Sequence, residues 1–552
     1  DFNVAGLVGH AVGATVTNST NEIDITIVSL GVPTIGYASL VGGVVAGAKM
    51  GCTFRGLTNK GDIVYTSTGR KGNLYISGVV GRAIEVANQL SILELSDCVN
   101  YGNISTTKDS VSSNDILMAG VTGYLMGNLN LKCDNLTNHG SILAQGECKS
   151  LRLNGIMSFK GEANSAKNWI NEKTGTLTVD GAKGTTLYLS GTGWQMAGTL
   201  DNFVNHADIT IKNVRDKASS LYIGGVLGTS HGGKKSNLVN NGKLTIGDDI
   251  TVTGLTRVAG LITEIAYTAG LDLVDIVDSS NNGAISVGGI ISENTGNSGR
   301  IYVGGLTTVQ NNGIISNCHN TKTATITVKP KTILGSETIV AGLISYITST
   351  TIENEVVGLT NCSNSADVEL SPVDSFGTYL GGCVAHCWAS KTDLNINLTD
   401  VTNSGKITLA GGVLGTSTAE DGKVTTLSSI NAVGGLFGYY LAHGNFTNCH
   451  NNGEIVVAPT GLASDIQAGG FAGYFAHRIK TKHFEFINCS NTKKVTFKPA
   501  SVNRYGRVGG FIGLATSGSN YVTPGSDTDI FTNCTITPSD SLNKLAILIL
   551  HN

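Results

Sequence analysis

The sequence predicts an all-β chain: one parallel β-helix, or β-solenoid, of about fourteen coils, with about 40 residues and three short strands per coil. Two recurring elements and the composition carry this reading. The first is a small–Gly pair inside an apolar strand. Its second glycine falls at Gly6, Gly43, Gly78, Gly120, Gly155, Gly191, Gly225, Gly260, Gly305, Gly342, Gly382, Gly435, Gly470 and Gly510. The second is Asn/Asp, an inward apolar slot, any residue, then Asn. The composition is 73 Gly against 7 Pro, with only 14% charged residues in 552. It excludes collagen and argues for strands and turns over helices.

The slot of the second element holds Val16, Leu57, Cys98, Leu136, Trp169, Phe203, Leu238, Ser279, Cys318, Cys362, Val401, Cys449, Cys489 and Cys534. Asn follows two residues later at Asn18, Asn59, Asn100, Asn138, Asn171, Asn205, Asn240, Asn281, Asn320, Asn364, Asn403, Asn451 and Asn491, with Ile536 in the last copy. These asparagines are expected to stack as a hydrogen-bonded ladder at a turn, since an amide both donates and accepts and Asn tolerates left-handed backbone. A small residue two places on, such as Gly61, Gly102 or Gly453, lets the chain turn a crowded corner. The paired glycines mark a bend or a close backbone approach. A β-branched strand follows, as in Ile455-Val456-Val457.

A propeller needs four antiparallel strands per repeat; three strong strand segments per repeat fit a β-helix. One coil cannot bury its inward side chains alone, so coils stack at about 4.8 Å and like lies over like. Fourteen coils would extend about 65–70 Å at that spacing. The segments Lys108 to Asn114 and Thr416 to Thr426 read as loops leaving the cylinder. The repeat runs through residues 1–552 with no internal domain boundary.

The run Gly434-Gly435-Leu436-Phe437-Gly438-Tyr439 with Asn448-Cys449 and Asn452-Gly453-Glu454-Ile455 resembles the GLUG-type repeat, as does Gly469-Gly470-Phe471-Ala472-Gly473-Tyr474 with Asn488-Cys489. The likeness is sharp in about four copies; Gly155 and Gly191 lack the full pattern. It implies a secreted or surface-attached β-solenoid, often adhesin-like, and brings no catalytic residues.

Candidate chemistry is sparse. Cys318, Cys362, Cys449, Cys489 and Cys534 share the slot with Val401, Leu238 and Phe203, so they read as stacked core thiols that behave as small hydrophobes. Cys383 and Cys387 fall on one strand face with His386 on the other, which reads as packing and not zinc. His319 and His450 read as solvated. The acidic spots Asp272/Asp275/Asp278, Asp248/Asp249 and Asp527/Asp529 have no obvious basic partner, and no calcium loop, nucleophile elbow or phosphate loop occurs. No catalytic residue, metal or cofactor is therefore expected. Asn103, Asn397 and Asn445 are the candidate N-glycosylation acceptors. The sequons at Asn18, Asn135, Asn361, Asn488 and Asn533 fall in ladder slots.

A net charge of −3 points to no nucleic-acid partner, and no apolar run is long enough for a membrane helix. Lys234-Lys235 and the stretch from His477 to His483 read as solvated basic loops. The expected role is an extracellular or cell-surface structural protein, a subunit of a fibre or stalk. Open coil edges, with a strand from Lys544 to Leu550 at one of them, read either as a segment of a longer protein or unrecognised caps, or as ends that stack head to tail into a filament. The alternative is an adhesin that binds glycans or a host surface through exposed aromatics such as Tyr439, Tyr440 and Tyr474; a polysaccharide lyase or hydrolase comes third.

Overall fold

The structure, a computed structural model, describes residues 2–536 except for 31–37, 50, 70–71, 85–91, 113, 127–129, 160–165, 184–185, 269–270, 293–298, 333–335, 350–355, 390–394, 415, 419–423, 427–429, 478–483, 503–504 and 517–529. Lys544–Leu550, Arg478–His483, Asp527 and Asp529 lie outside the described residues. Two compact units emerge, one built on Asp1–Thr251 and the other on Val274–Asn552, with short segments between 252 and 273 shared out between them.

Each unit is a parallel β-solenoid with no α-helix among the described residues and roughly 38 residues per turn. The coil around Gly43 shows the plan. A leading strand, Ser39–Gly42, meets the trailing strand Val45–Lys49 at a bend on Gly43 and Val44. An asparagine strand follows in two pieces, Thr53–Arg55 and Thr58–Asn59, and a closing strand, Ile63–Thr68, completes the turn. The glycine pair thus joins two strands at a corner. The leading strand recurs seven times in each unit.

Register between coils holds like over like. In the first unit Leu74, Tyr75, Ile76 and Ser77 pair with Ile116, Leu117, Met118 and Ala119, and those with Leu151, Arg152, Leu153 and Asn154. In the second, Ile407, Thr408 and Leu409 pair with Ile455, Val456 and Val457. Closing strands alternate inward and outward, as in Ile63 and Tyr65 buried between half-exposed Val64 and Thr66. The second unit adds a row of two-residue strands, among them Ile291–Ser292, Lys331–Thr332 and Asp374–Ser375. The insert after Leu414 leaves the coil as an antiparallel hairpin, Thr416–Thr418 against Val424–Thr426. Residues 107–112 make a turn bridged to the next coil through Val111 and Glu147.

Interior columns are stacked apolar side chains. Trp169 lies flat on Phe203 at 4.5 Å in the first unit. In the second, Phe446 stacks on Phe486 at 5.0 Å and Phe471 on Phe511 at 4.6 Å.

The glycine corner leaves no room for a side chain. A Cβ on Gly382 would lie 2.0 Å from the Gly435 carbonyl oxygen of the next coil and 2.5 Å from Cγ of Asn403. Neither can give way cheaply, because one is ladder backbone and the other a buried amide. Gly382→Ala is therefore expected to destabilise the solenoid by about 3 kcal/mol or more, while Thr408→Ala on the outer face changes it by less than about 0.5 kcal/mol. Urea denaturation of both variants checks this; equal midpoints would refute the packing argument.

Candidate functional site

Two hydrogen-bonded ladders run along each solenoid, one on either side of the slot. The inner one is made of Asn21, Asn59, Asn100, Asn138, Asn171, Asn205 and Asn240 in the first unit, and of Asn281, Asn320, Asn364, Asn403, Asn451 and Asn491 in the second. All are buried. From Asn21 to Asn240 in the first unit, and from Asn281 to Asn491 in the second, Nδ2 donates to Oδ1 of the next coil's Asn, as in Asn59 to Asn100 at 2.9 Å and Asn403 to Asn451 at 2.8 Å. Most also donate to the backbone carbonyl two residues on, Asn59 to Gly61 and Asn403 to Gly405. Where Ile536 replaces the amide, Asn491 donates to the Gly510 carbonyl at 2.8 Å.

The outer ladder is formed by the residue before the slot, and this residue holds the left-handed turn conformation. Asn135, Asn168, Asn202, Asn317, Asn361, Asn448, Asn488 and Asn533 all have φ between 50 and 58°. Asx side chains tolerate this region best after glycine, and Gly56 takes the position in one coil at φ 64°. The bonds run backwards: Asn168 donates to Asn135, Asn361 to Asn317 and Asn488 to Asn448.

The first repeat sits in a different register from the one its sequence suggests. Asn18 has φ 48° and belongs to the outer series. Asn21 pairs with Asn59 and donates to it, so Ser19, not Val16, holds the slot. Local spacing misled here, because both positions are Asn three residues apart.

The slot cysteines Cys318, Cys362, Cys449 and Cys489 are buried and Cys534 is half-buried; no disulfide forms among the described residues. Their thiols donate to backbone carbonyls, Cys362 to Ile315 at 3.4 Å and Cys489 to Phe446 at 3.3 Å. The neighbouring Cys362 thiol and burial push the Cys318 thiol well above its ordinary value, and burial pushes Cys98 up to about 12. Thiols held protonated are poor nucleophiles.

Asn103 and Asn445 are exposed and Asn397 is half-buried. Asn103 Nδ2 donates to Asp62 Oδ1 at 3.1 Å, and Asn397 Oδ1 accepts the Asn445 backbone N–H at 3.2 Å. The sequon amides of Asn135, Asn361, Asn488 and Asn533 are bonded within the outer ladder. Asp248 and Asp249 form a turn. His319 and His450 are half-buried, with Nδ1 at 2.9 Å from Ser363 Oγ and 2.8 Å from Ser490 Oγ. Among the described residues no group of three His, Cys, Asp or Glu could hold a metal ion.

Two further expectations are overturned. Tyr439 and Tyr474 are only 8% exposed and stack at 4.5 Å, and Tyr440 is wholly interior, packed on Phe475 at 4.7 Å. None is a loop aromatic, because strand pairing runs on to Ala442 and His477 after the glycine corner. Lys235 is fully buried, not solvated: its ammonium donates to the carbonyls of Gly198 at 2.6 Å and Gly232 at 2.5 Å. The charge is tolerated because carbonyl dipoles replace its water.

The structure also assembles something the repeat analysis missed. Outside each glycine corner, leading and trailing strands form a crease. Its walls are the residues three before and four after the second glycine. In the second unit they place Arg257 beside Glu264, paired at 2.5 Å, then Tyr302, Tyr346, Tyr379, His386, Tyr439 and Tyr474. Arg300 pairs with Glu337, and the Tyr379 hydroxyl donates to Glu337 Oε1 at 3.2 Å. The signal was in the sequence, as aromatic and Arg residues at those two fixed offsets.

His386 lies among Tyr379, Tyr439 and Tyr346, with ring centroids at 4.6, 4.9 and 5.0 Å. Neither ring nitrogen hydrogen-bonds to a described residue. Burial, helped by the Arg300 charge, lowers its pKa from 6.5 to about 3. The folded state holds it neutral, while the unfolded chain takes up a proton below pH 6.5. Stability is thus unaffected above pH 6.5 and falls as pH drops towards 3. His386 is expected to cost about 2–3 kcal/mol at pH 4.5 relative to pH 7. Denaturation curves at the two pH values check this, and His386→Phe should flatten the difference by that amount.

The inner ladder gives a second test. Asn364→Asp keeps shape and acceptors but loses the donor to Asn403 Oδ1 and to the Ala366 carbonyl. A loss of about 2–4 kcal/mol is expected, read as a lowered urea midpoint at pH 7.

The chain matches no protein-family model, no curated protein and no solved structure.

Proposed function

We propose that the chain is a structural protein of the cell surface or extracellular space, a shaft of stacked coils serving in a fibre or stalk. The observation that carries this is how the recurring polar residues are used. Inner and outer Asx side chains bond the coil above or below, and so do ion pairs such as Lys60–Glu22, Arg55–Glu94 and Arg300–Glu337. Side chains repeated for a ligand would instead be left facing solvent. In a shaft, stability adds up from nearest-neighbour interfaces. The GLUG-type likeness of the Gly435 and Gly470 repeats supports the same reading and is the basis for proposing a secreted setting. We propose no catalytic activity.

Electron microscopy of the natively isolated material tests this. Continuous rods are expected, with surface labelling of intact cells by an antibody against the chain. Compact isolated particles confined to the cell interior would refute it.

A second reading, an adhesin that binds glycans, has one observation in its favour: the crease of the first unit.

A further inference from the structure

The two units furnish their creases differently. In the second, Arg257 and Arg300 each have a glutamate partner, and Tyr302, Tyr379, Tyr439 and Tyr474 are at most 8% exposed. In the first, the rows three before and four after the second glycine contain no carboxylate, while Asp115 stands five before it, in the row that Arg300 and Glu337 occupy in the second unit. Arg82 lies over Tyr75 at 5.0 Å and over Tyr124 at 5.7 Å. Arg152 lies over Tyr188 at 5.2 Å and makes no ion pair among the described residues. Its Nε is buried without a hydrogen-bond partner, as is that of Arg300 in the second unit. Tyr188 stacks flat on Tyr222 at 5.1 Å; Tyr124, Tyr188 and Tyr222 are half-buried, as Tyr346 is in the second unit, and Tyr75 is buried. Asp115, just ahead of the strand Ile116–Ala119 that pairs with that of Arg152, adds to burial in raising the Tyr188 value.

We propose that the crease of the first unit binds an acidic polysaccharide, a uronate or sulfated glycan lying along the solenoid axis. Three features of the crease fit this ligand. Guanidinium groups fork to carboxylate and sulfate oxygens, and their flat faces stay stacked on tyrosine while they do so. Tyr188 and Tyr222, paired on consecutive coils, offer two hydroxyls at about 4.8 Å, which is close to the advance of one pyranose ring in an extended chain. The phenols remain protonated donors, because burial raises the Tyr124 and Tyr188 values. A nucleic acid would also meet the arginines, but the chain's net charge of −3 disfavours a long polyphosphate. The inference deepens the adhesin reading and leaves the shaft reading untouched.

The test uses the full chain and titration calorimetry with oligogalacturonate, a heparin oligosaccharide, a neutral cello-oligosaccharide and single-stranded DNA. Saturable binding of at least one acidic sugar is expected, at least tenfold tighter than the neutral one and weakening with salt. Arg152→Gln should lower affinity at least tenfold with an unchanged melting temperature. Should that variant fold poorly, Tyr188→Phe removes one hydroxyl while keeping the stack, and a severalfold loss is expected. The proposal is overturned by absence of acidic-sugar binding, by equal binding of the neutral sugar, by tighter binding of the DNA, or by affinity unchanged in well-folded variants. Failure here would leave the microscopy test of the shaft undecided, so the two readings fail separately.

Discussion

The rest of the structure depends on one contact: the inner asparagine amide lying where a glycine side chain would be. Gly43 faces Asn59, Gly78 faces Asn100, Gly342 faces Asn364 and Gly435 faces Asn451. On its other side each glycine faces the carbonyl of the next coil's glycine, at 2.0–2.2 Å from where a Cβ would stand in Gly43, Gly78 and Gly342. The two sequence motifs are therefore halves of one three-body junction. The segment joining them may be long or short, because only its ends are fixed; the residues at the junction have no such freedom. The amide is satisfied by its coil neighbours, which is why a polar column can be buried at little net cost.

Legibility followed the same division. The fold was readable because glycine pairs and Asx triplets repeat across the chain, and stacking makes every copy report the same corner. The inner ladder was readable at Asn59 or Asn403 but slipped at Asn18, where a second Asn three residues on supplied a rival register. The buried ammonium of Lys235 could not have been read, because it depends on the Gly232–Gly233 turn bringing carbonyls round, both at positive φ. The tyrosines near Gly435 and Gly470 were mistaken for loop residues since a strand that alternates inward and outward around a corner does not announce where it ends. The crease was missed because its residues are not conserved in kind from repeat to repeat: Arg152, Tyr188 and Ile339 hold the same place.

The creases show how one scaffold can carry different surface chemistry. Where Glu264 and Glu337 are present, arginine charge is neutralised within the protein and the tyrosines close over His386. In the first unit Arg82 and Arg152 lie over tyrosine faces instead. The slot column varies just as freely, from Leu238 to Cys449 to Trp169, and admits Ser279 where the hydroxyl donates to the Val277 carbonyl.

The outer ladder carries a grammar of its own. Its bonds pass from each asparagine back to the coil before. An aspartate can receive such a bond but cannot send one. Asp97, Asp278 and Asp400 each accept from the following coil, through Asn135, Asn317 and Asn448. Each therefore opens a run and cannot continue one. Asp400 breaks the chain of bonds after Asn361, and a new series begins above it. The repeats are consequently not interchangeable tiles. A copy bearing aspartate can be duplicated or transposed only to a place where a series may start, and a copy bearing asparagine works best with an acceptor beneath it. Order along each solenoid is written in the side-chain protons of its outer ladder.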